Sequence, residues 1–198
     1  MAEYVTLKKN DGTIIYPQID PNTIDFSKAY YPGQFLVVAR NTQTLSWYGT
    51  TATIWGNGVW TQYGPMAASS YKYRLEINNT TSKTMTVILE LSCPTLNIGD
   101  NVYASTFIWE VDSNNSKILN LANSILSSKS GQYNLWTPVY LRKIVTIAPN
   151  STKYFVPAVY TSTNTTCRWL GGDTTTNNQD TNFGGDSCIF SAKLLSIA

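Results

Sequence analysis

The sequence predicts an all-β domain, an antiparallel β-sandwich of jelly-roll or related Greek-key type with one short helix, on three observations. The first is composition. Ser, Thr and Asn fill 62 of 198 positions, with 13 Tyr and 6 Trp, and only 13% of residues are charged. Thr, Tyr and Trp suit a pleated, half-buried surface, whereas the helix formers Glu and Lys are scarce. The second is period-two alternation. Tyr71, Tyr73, Leu75 and Ile77 alternate with Lys72, Arg74 and Glu76, and Met85, Val87, Leu89 and Leu91 form the next inward row. The third is turn chemistry, with Asp11-Gly12 and Gly56-Asn57-Gly58 between extended segments. At 42% hydrophobic residues and this length, the chain can bury one core.

Taken in order, residues 4–16 read as a hairpin turning at Asn10-Asp11-Gly12, ended by Pro17. Residues 20–32 are polar and Pro-bounded. This gives an N-terminal hairpin and connector over 1–32 and a β-sandwich head over 33–198. Strands follow at 34–40 and 45–49, and strands at 51–55 and 59–62 flank the Gly-Asn-Gly turn. Another is expected at 101–110. From Asn115 to Ser127, Ile118, Leu121, Ala122 and Ile125 recur at three- and four-residue spacing, which predicts the helix, capped by Asn114 or Asn115. Pro138 interrupts an extended stretch from Tyr133. Strands at 140–147 and 153–160 read as a hairpin through Ala148-Pro149-Asn150-Ser151-Thr152, and 188–197 closes the chain as a strand. No repeat period appears, which argues against a propeller or solenoid.

Charge and hydropathy exclude several roles. The formal charge is +2 without a basic stretch, so no phosphate-binding footprint for nucleic acid is visible. No apolar run reaches the roughly 18–20 residues of a membrane span, so no membrane insertion is expected. Met1-Ala2-Glu3-Tyr4 lacks the features of a secretory signal, which leaves the sequons at Asn78, Asn79, Asn114, Asn150 and Asn164 without weight. Cys93, Cys167 and Cys188 have no CxxC partner and read as small buried hydrophobes, with a Cys167–Cys188 bridge as the alternative under oxidising conditions.

Chemistry is sparse. There is no His, which removes the commonest neutral-pH general base and with it most hydrolytic triads and His-based metal sites, and there is no Gly-rich phosphate loop before a helix. Glu76, Glu90, Glu110 and Asp112 are the carboxylates from which a glycosidase pair would be drawn. Their positions on alternating strands or at a strand end favour ordinary solvent-facing roles, and no enzymatic activity is expected. Asp173, Asp180 and Asp186, with Asn177, Asn178 and Asn182, offer oxygen ligands that suit calcium in type but match no EF-hand loop spacing, so no metal or cofactor is assigned. The aromatic cluster Trp47, Tyr48, Trp55, Trp60 and Tyr63 is either core or a surface for a sugar or protein partner.

The opening Tyr4-Val5-Thr6-Leu7-Lys8-Lys9-Asn10-Asp11-Gly12-Thr13-Ile14-Ile15-Tyr16-Pro17-Gln18 resembles the start of many bacteriophage virion structural proteins of the head-fibre, capsid-decoration and tail-fibre types. There, a short strand, an Asp-Gly turn and a Tyr-Pro step introduce a particle-attached module. The resemblance covers about the first eighteen residues; the rest shares only the Thr-, Asn- and Tyr-rich, charge-poor texture. It implies a structural protein on the virion surface, assembled in the host cytoplasm, commonly a homotrimer, whose partners are other virion proteins and a host surface glycan. Tyr4, Leu7, Ile14, Tyr16 and Pro17 would then belong to the attachment segment. The rival readings are a carbohydrate-binding β-sandwich module and a β-sandwich glycan hydrolase.

Overall fold

The computed structural model describes residues 7–8, 14–15, 32–43, 45–47, 49–56, 59–68, 70–98, 101–128, 135–162, 167–170 and 188–198. The chain divides into two compact units, residues 1–30 and 31–198. In the first, β1 (Leu7–Lys8) and β2 (Ile14–Ile15) pair antiparallel, Leu7 opposite Ile15 and Lys8 opposite Ile14. Tyr4, Tyr16 and Pro17 lie outside the described residues.

The second unit is a two-sheet antiparallel sandwich of jelly-roll-like arrangement. Its strands are β3 (Phe35–Asn41), β4 (Leu45–Trp47), β5 (Thr53–Ile54), β6 (Trp60–Tyr63), β7 (Leu75–Asn79), β8 (Met85–Ile98), β9 (Tyr103–Val111), β10 (Lys117–Ser127), β11 (Leu135–Ile147), β12 (Ser151–Thr161), β13 (Cys167–Leu170) and β14 (Cys188–Ile197). The five-stranded sheet runs β10-β9-β12, with β5 and β7 sharing the far side of β12. In the seven-stranded sheet β8 is central: β11 pairs along one edge, while β14 and β13 share the other and lead to β3-β6 and β4.

The connections differ from those the turn signals suggested. From β4 to β9 every link passes to the opposite sheet, and so does every link from β10 to β13. β5 and β6, and likewise β11 and β12, therefore lie in opposite sheets rather than pairing as hairpins. A Gly-Asn-Gly or Pro-Asn turn reverses the chain, but nothing local says whether the returning strand pairs with its predecessor or packs over it. Within this unit, β9 and β10 are the one consecutive pair of described strands that hydrogen-bond to each other.

β10 occupies the segment expected to be helical, and no helix occurs among the described residues. The ladder with β9 slips twice, between Lys117 and Leu119 and between Asn120 and Ala122. Each bulge inserts a residue and shifts the alternation by one, so apolar residues fall at the three- and four-residue spacing of a helix. Asn115 does not cap a helix. With φ 66° it is the left-handed residue of the β9–β10 turn, where its N–H donates to the Asp112 carbonyl at 3.1 Å.

The inner face of the seven-stranded sheet follows the predicted row. Met85, Val87, Leu89 and Leu91 are all fully buried, and Phe190, Ala192 and Leu194 stand opposite Leu91, Leu89 and Val87. Each large side chain buried this way contributes about 1.5–3 kcal/mol. From the other sheet come Leu75, Ile77, Ala104, Ile108, Phe155 and Val159. Tyr71 and Tyr73, expected in the same inner row as Leu75, precede the strand: residues 71–74 form a turn closed by Arg74 N–H on the Tyr71 carbonyl, 2.8 Å. The expectation also reversed the burial there, since Tyr71 is exposed and Arg74 is buried.

A seam crosses the seven-stranded sheet at Pro94. Leu170 lies opposite Thr95 and Ile189 opposite Ser92, so β13 and β14 form one line along β8. On the other edge β11 skips a position between Thr137 and Val139, at Pro138, without ending. Proline has no N–H to give to a ladder, and two prolines at the same level locate the irregularity. No disulfide joins the three cysteines, and all three are buried. The register places Cys167 about five ladder positions from Cys188, roughly 16 Å along β8. A disulfide tolerates no more than about 7 Å between Cα atoms, so the Cys167–Cys188 pairing is excluded.

Candidate functional site

β9 and β12 are apolar on both faces. Their even and odd residues respectively (Ala104, Thr106, Ile108; Phe155, Pro157, Val159) look into the sandwich, as the bond from Trp169 in the opposite sheet to Thr106 shows. The other row therefore lies on the outer face. There Trp109, Val111, Val156 and Ala158 form a second apolar cluster, overlaid by Ala52, Ile54, Tyr73, Phe107 and Tyr154.

At one end of this face the cluster opens into a groove of about 510 Å³, walled by Ile125 and Ser127 of β10, Tyr103, Ser105 and Phe107 of β9, Tyr160 of β12, and Ala52. The Tyr103 and Tyr160 rings lie 6.3 Å apart with planes 34° from parallel. Tyr103 is 49% and Ile125 63% exposed. Three sets of hydrogen bonds fix these walls. The Tyr103 N–H donates to Ser162 Oγ (3.0 Å) and the Ser162 N–H to the Tyr103 carbonyl (2.9 Å). The Ser128 hydroxyl accepts from Val102 N–H at 3.0 Å and donates to the Val102 carbonyl at 3.1 Å, tying the end of β10 to the start of β9. Gly49 N–H donates to Thr161 Oγ1 at 2.9 Å, and that hydroxyl donates back to the Gly49 carbonyl at 3.0 Å, which brings residues 49–54 beside β12.

None of the described residues lining the groove is charged. Charge gathers at the other end of the same face. The buried Arg74 guanidinium lies 4.5 Å from the ring centroids of both Tyr71 and Tyr154. It donates to the Ser113 carbonyl (2.9 Å) and Asn115 Oδ1 (3.0 Å) and sits 3.5 Å from Glu76. Burial pushes the Tyr73 phenol above its usual range, with the neighbouring Tyr71 adding to the effect. Lys117 covers the Trp109 ring at 4.7 Å.

The sequence cluster is dispersed by the fold. Trp55 and Trp60 are buried, packed edge-to-face at 5.5 Å, and Trp55 also meets Trp169 at 6.4 Å between the sheets. They are core side chains and present no surface to a ligand. Trp47 is half-buried on β4. Tyr63 is exposed on β6, its hydroxyl 2.8 Å from that of Thr61. Tyr48 and the acidic and Asn-rich residues of 171–186 lie outside the described residues. The groove aromatics were missed, although a signal exists. Residues 103–109 and 154–160 carry bulky side chains at both parities, the mark of strands covered on both faces.

The four carboxylates do not meet across a cleft. The register Glu76–Tyr154–Val111 puts Glu76 on the outer face of the five-stranded sheet, whereas Glu110 points to the inner side. Glu110 pairs with Lys153 at 3.0 Å. Asp112 Oδ1 accepts the Asn114 and Ser116 N–H groups at 2.9 and 2.7 Å. Glu90, on the seven-stranded sheet, accepts the Tyr140 hydroxyl at 2.7 Å, with Arg142 and Lys193 within 4 Å. Among the described residues no group of three or more His, Cys, Asp or Glu side chains is placed to hold a metal ion. No described helix is long and apolar enough to cross a membrane.

No family model and no curated protein sequence matches the chain. Among solved structures it is similar to the Eiger TNF from S. frugiperda, at 9% identity and a TM-score of 0.46, over 83% of this chain and 95% of that one. It is also similar to the CBM22-1 xylan-binding domain from Paenibacillus barcinonensis Xyn10C, at 7% identity and a TM-score of 0.33, over 86% and 100% of the two chains. At these identities and scores neither likeness bears on the chain's site or role.

Proposed function

We propose that the chain is a non-catalytic recognition module that binds an uncharged glycan in the groove of the five-stranded sheet. The observation that carries this reading is the pair of partly exposed rings, Tyr103 and Tyr160, in a groove of about 510 Å³ whose described lining residues are all uncharged. Small-molecule sites combine mainly apolar walls with a few polar groups that fix orientation. The tyrosine rings and Phe107 offer flat apolar surface to the C–H face of a sugar, while Ser127 and the tyrosine hydroxyls supply hydrogen bonds. A neutral lining disfavours acidic polysaccharides, which would have to shed their hydration without a counter-charge. Titration calorimetry against neutral oligosaccharides tests the idea. Tyr103→Ala and Tyr160→Ala should each weaken binding at least tenfold without unfolding the chain, and unchanged affinity in both variants would refute it.

A second reading concerns where the module works. We propose display on a bacteriophage particle as a decoration or fibre protein, with the N-terminal unit as the attachment segment and a homotrimer as the assembled form. It is supported by the resemblance of residues 4–18 and by the antiparallel pairing of β1 with β2 as a unit of its own. A two-stranded hairpin is marginally stable unless another surface covers it. Deleting residues 2–30 should leave a cooperatively folding sandwich that no longer joins particles. Collapse of the sandwich would instead make this segment part of its core.

A further inference from the structure

We propose that Cys93 and Cys188 constitute a cross-strand disulfide site that covalently joins β8 to β14. The ladder between these strands places Ile189 opposite Ser92 and Phe190 opposite Leu91. One step further along the same antiparallel register, Cys188 faces Cys93. Residues directly opposite each other in an antiparallel pair have Cα atoms about 4.5–5.5 Å apart, inside the span a disulfide requires. Both side chains are fully buried, and the two thiols are hydrogen-bonded to each other, so the sulfurs are already neighbours. Cys167, opposite the other end of β8, is out of reach of either.

Closing the bridge removes two hydrogens and two electrons. A low-molecular-weight disulfide such as oxidised glutathione is the acceptor. One cysteine thiolate attacks it, forming a mixed disulfide and releasing one glutathione thiolate. The second cysteine thiolate then attacks the protein-bound sulfur, forms the Cys93–Cys188 bond and expels the second glutathione. Burial holds the Cys188 thiol well above its usual pKa, so the attacking thiolate is scarce in the folded chain. The bridge therefore closes while β14 is docking during folding, or during an opening that bares the pair, and the folded reduced protein persists in a reducing compartment.

The site also has a structural consequence. Cys188 is the first residue of β14, beside Pro94 of β8, where the ladder passes from β14 to β13. A bridge there pins β14 to β8 at the strand's first residue. It also ties together residues nearly half the chain apart, which restricts the unfolded state.

The test is to refold the fully reduced chain in mixed reduced and oxidised glutathione, alkylate remaining thiols in denaturant, and map the unreduced peptides. The expected product is lighter by two hydrogens before alkylation, links the Cys93 and Cys188 peptides, and carries the alkyl group on Cys167. Its unfolding midpoint lies at higher denaturant concentration than that of the reduced protein. Cys167→Ser should form the same bridge, and folded reduced protein in the same mixture should acquire it only as fast as it unfolds. Three alkylated thiols, or a bridge that includes Cys167, would overturn the assignment.

Discussion

The indole Nε1 of Trp169 donates to the Thr106 hydroxyl at 2.7 Å, a buried hydrogen bond that runs from one sheet to the other. Removing one partner of such a bond strands the other without water. Thr106→Val is expected to cost about 1–3 kcal/mol in denaturant unfolding, the penalty of an unsatisfied buried donor. Thr106→Ser, which keeps the hydroxyl, should recover most of that.

Core and groove aromatics separate by their effect on stability. Trp55→Ala and Trp60→Ala each open a large void between the sheets and should cost about 3–5 kcal/mol. Tyr103→Ala, at a half-exposed position, should cost no more than about 1 kcal/mol. Equal losses at all three sites would mean that the groove is packed as core.

Arg74 holds the turn after β9 against the segment leading into β7. Replacing it by Met should cost about 3 kcal/mol, because Ser113 and Asn115 lose charge-assisted hydrogen bonds worth about 1.5–3 kcal/mol each before any relaxation. Arg74→Lys should not rescue the loss. A single ammonium cannot reproduce the planar fork between the Tyr71 and Tyr154 rings. Urea midpoints of the two variants check both statements.

Alkaline stability should depend on Tyr140. Its hydrogen bond to Glu90, with a smaller contribution from desolvation, raises the phenol above its ordinary value of 10.0. A group with a raised folded pKa contributes stability that is complete below the unfolded pKa and lost as pH climbs through the folded one. Stability should therefore fall above about pH 10, and Tyr140→Phe should remove this component of the slope. Tyr140 is largely exposed, so solvent screening limits the effect to about 0.5 kcal/mol. Denaturant midpoints between pH 8 and 11 measure it.

Gly64 follows β6 with φ 105°, and a Cβ there would stand 2.8 Å from the Leu36 carbonyl oxygen, which accepts the Met66 N–H at 2.9 Å. Gly64→Ala should lose at least about 1–2 kcal/mol from the backbone conformation alone, with the clash adding to it. An unchanged thermal midpoint would show that the turn can re-form around a side chain.

Strand positions and inward rows were legible wherever alternation ran unbroken, as in Met85 to Leu91. They were not legible where bulges shifted the phase, as in β10. The Ile, Asn and Ser of that segment are mediocre helix formers, a local signal that outranked neither the spacing nor the adjacent Asn residues. Pairing partners were unreadable because an arch and a hairpin use the same turn residues; which sheet receives the returning strand is decided by contacts far away in sequence. The groove was missed for a related reason. Clustering in sequence favoured Trp55 and Trp60, whereas Tyr103 and Tyr160 become neighbours only through the β9–β12 ladder.

The collinear placement of β13 and β14 along β8 has a consequence for how this protein can diversify. The sheet fixes Leu170, the last residue of β13, and Cys188, the first residue of β14. Closing a flexible segment costs only about 0.6 kcal/mol more for each doubling of its length. Inserted sequences of quite different length can therefore be joined between these two anchor points at little cost to the scaffold.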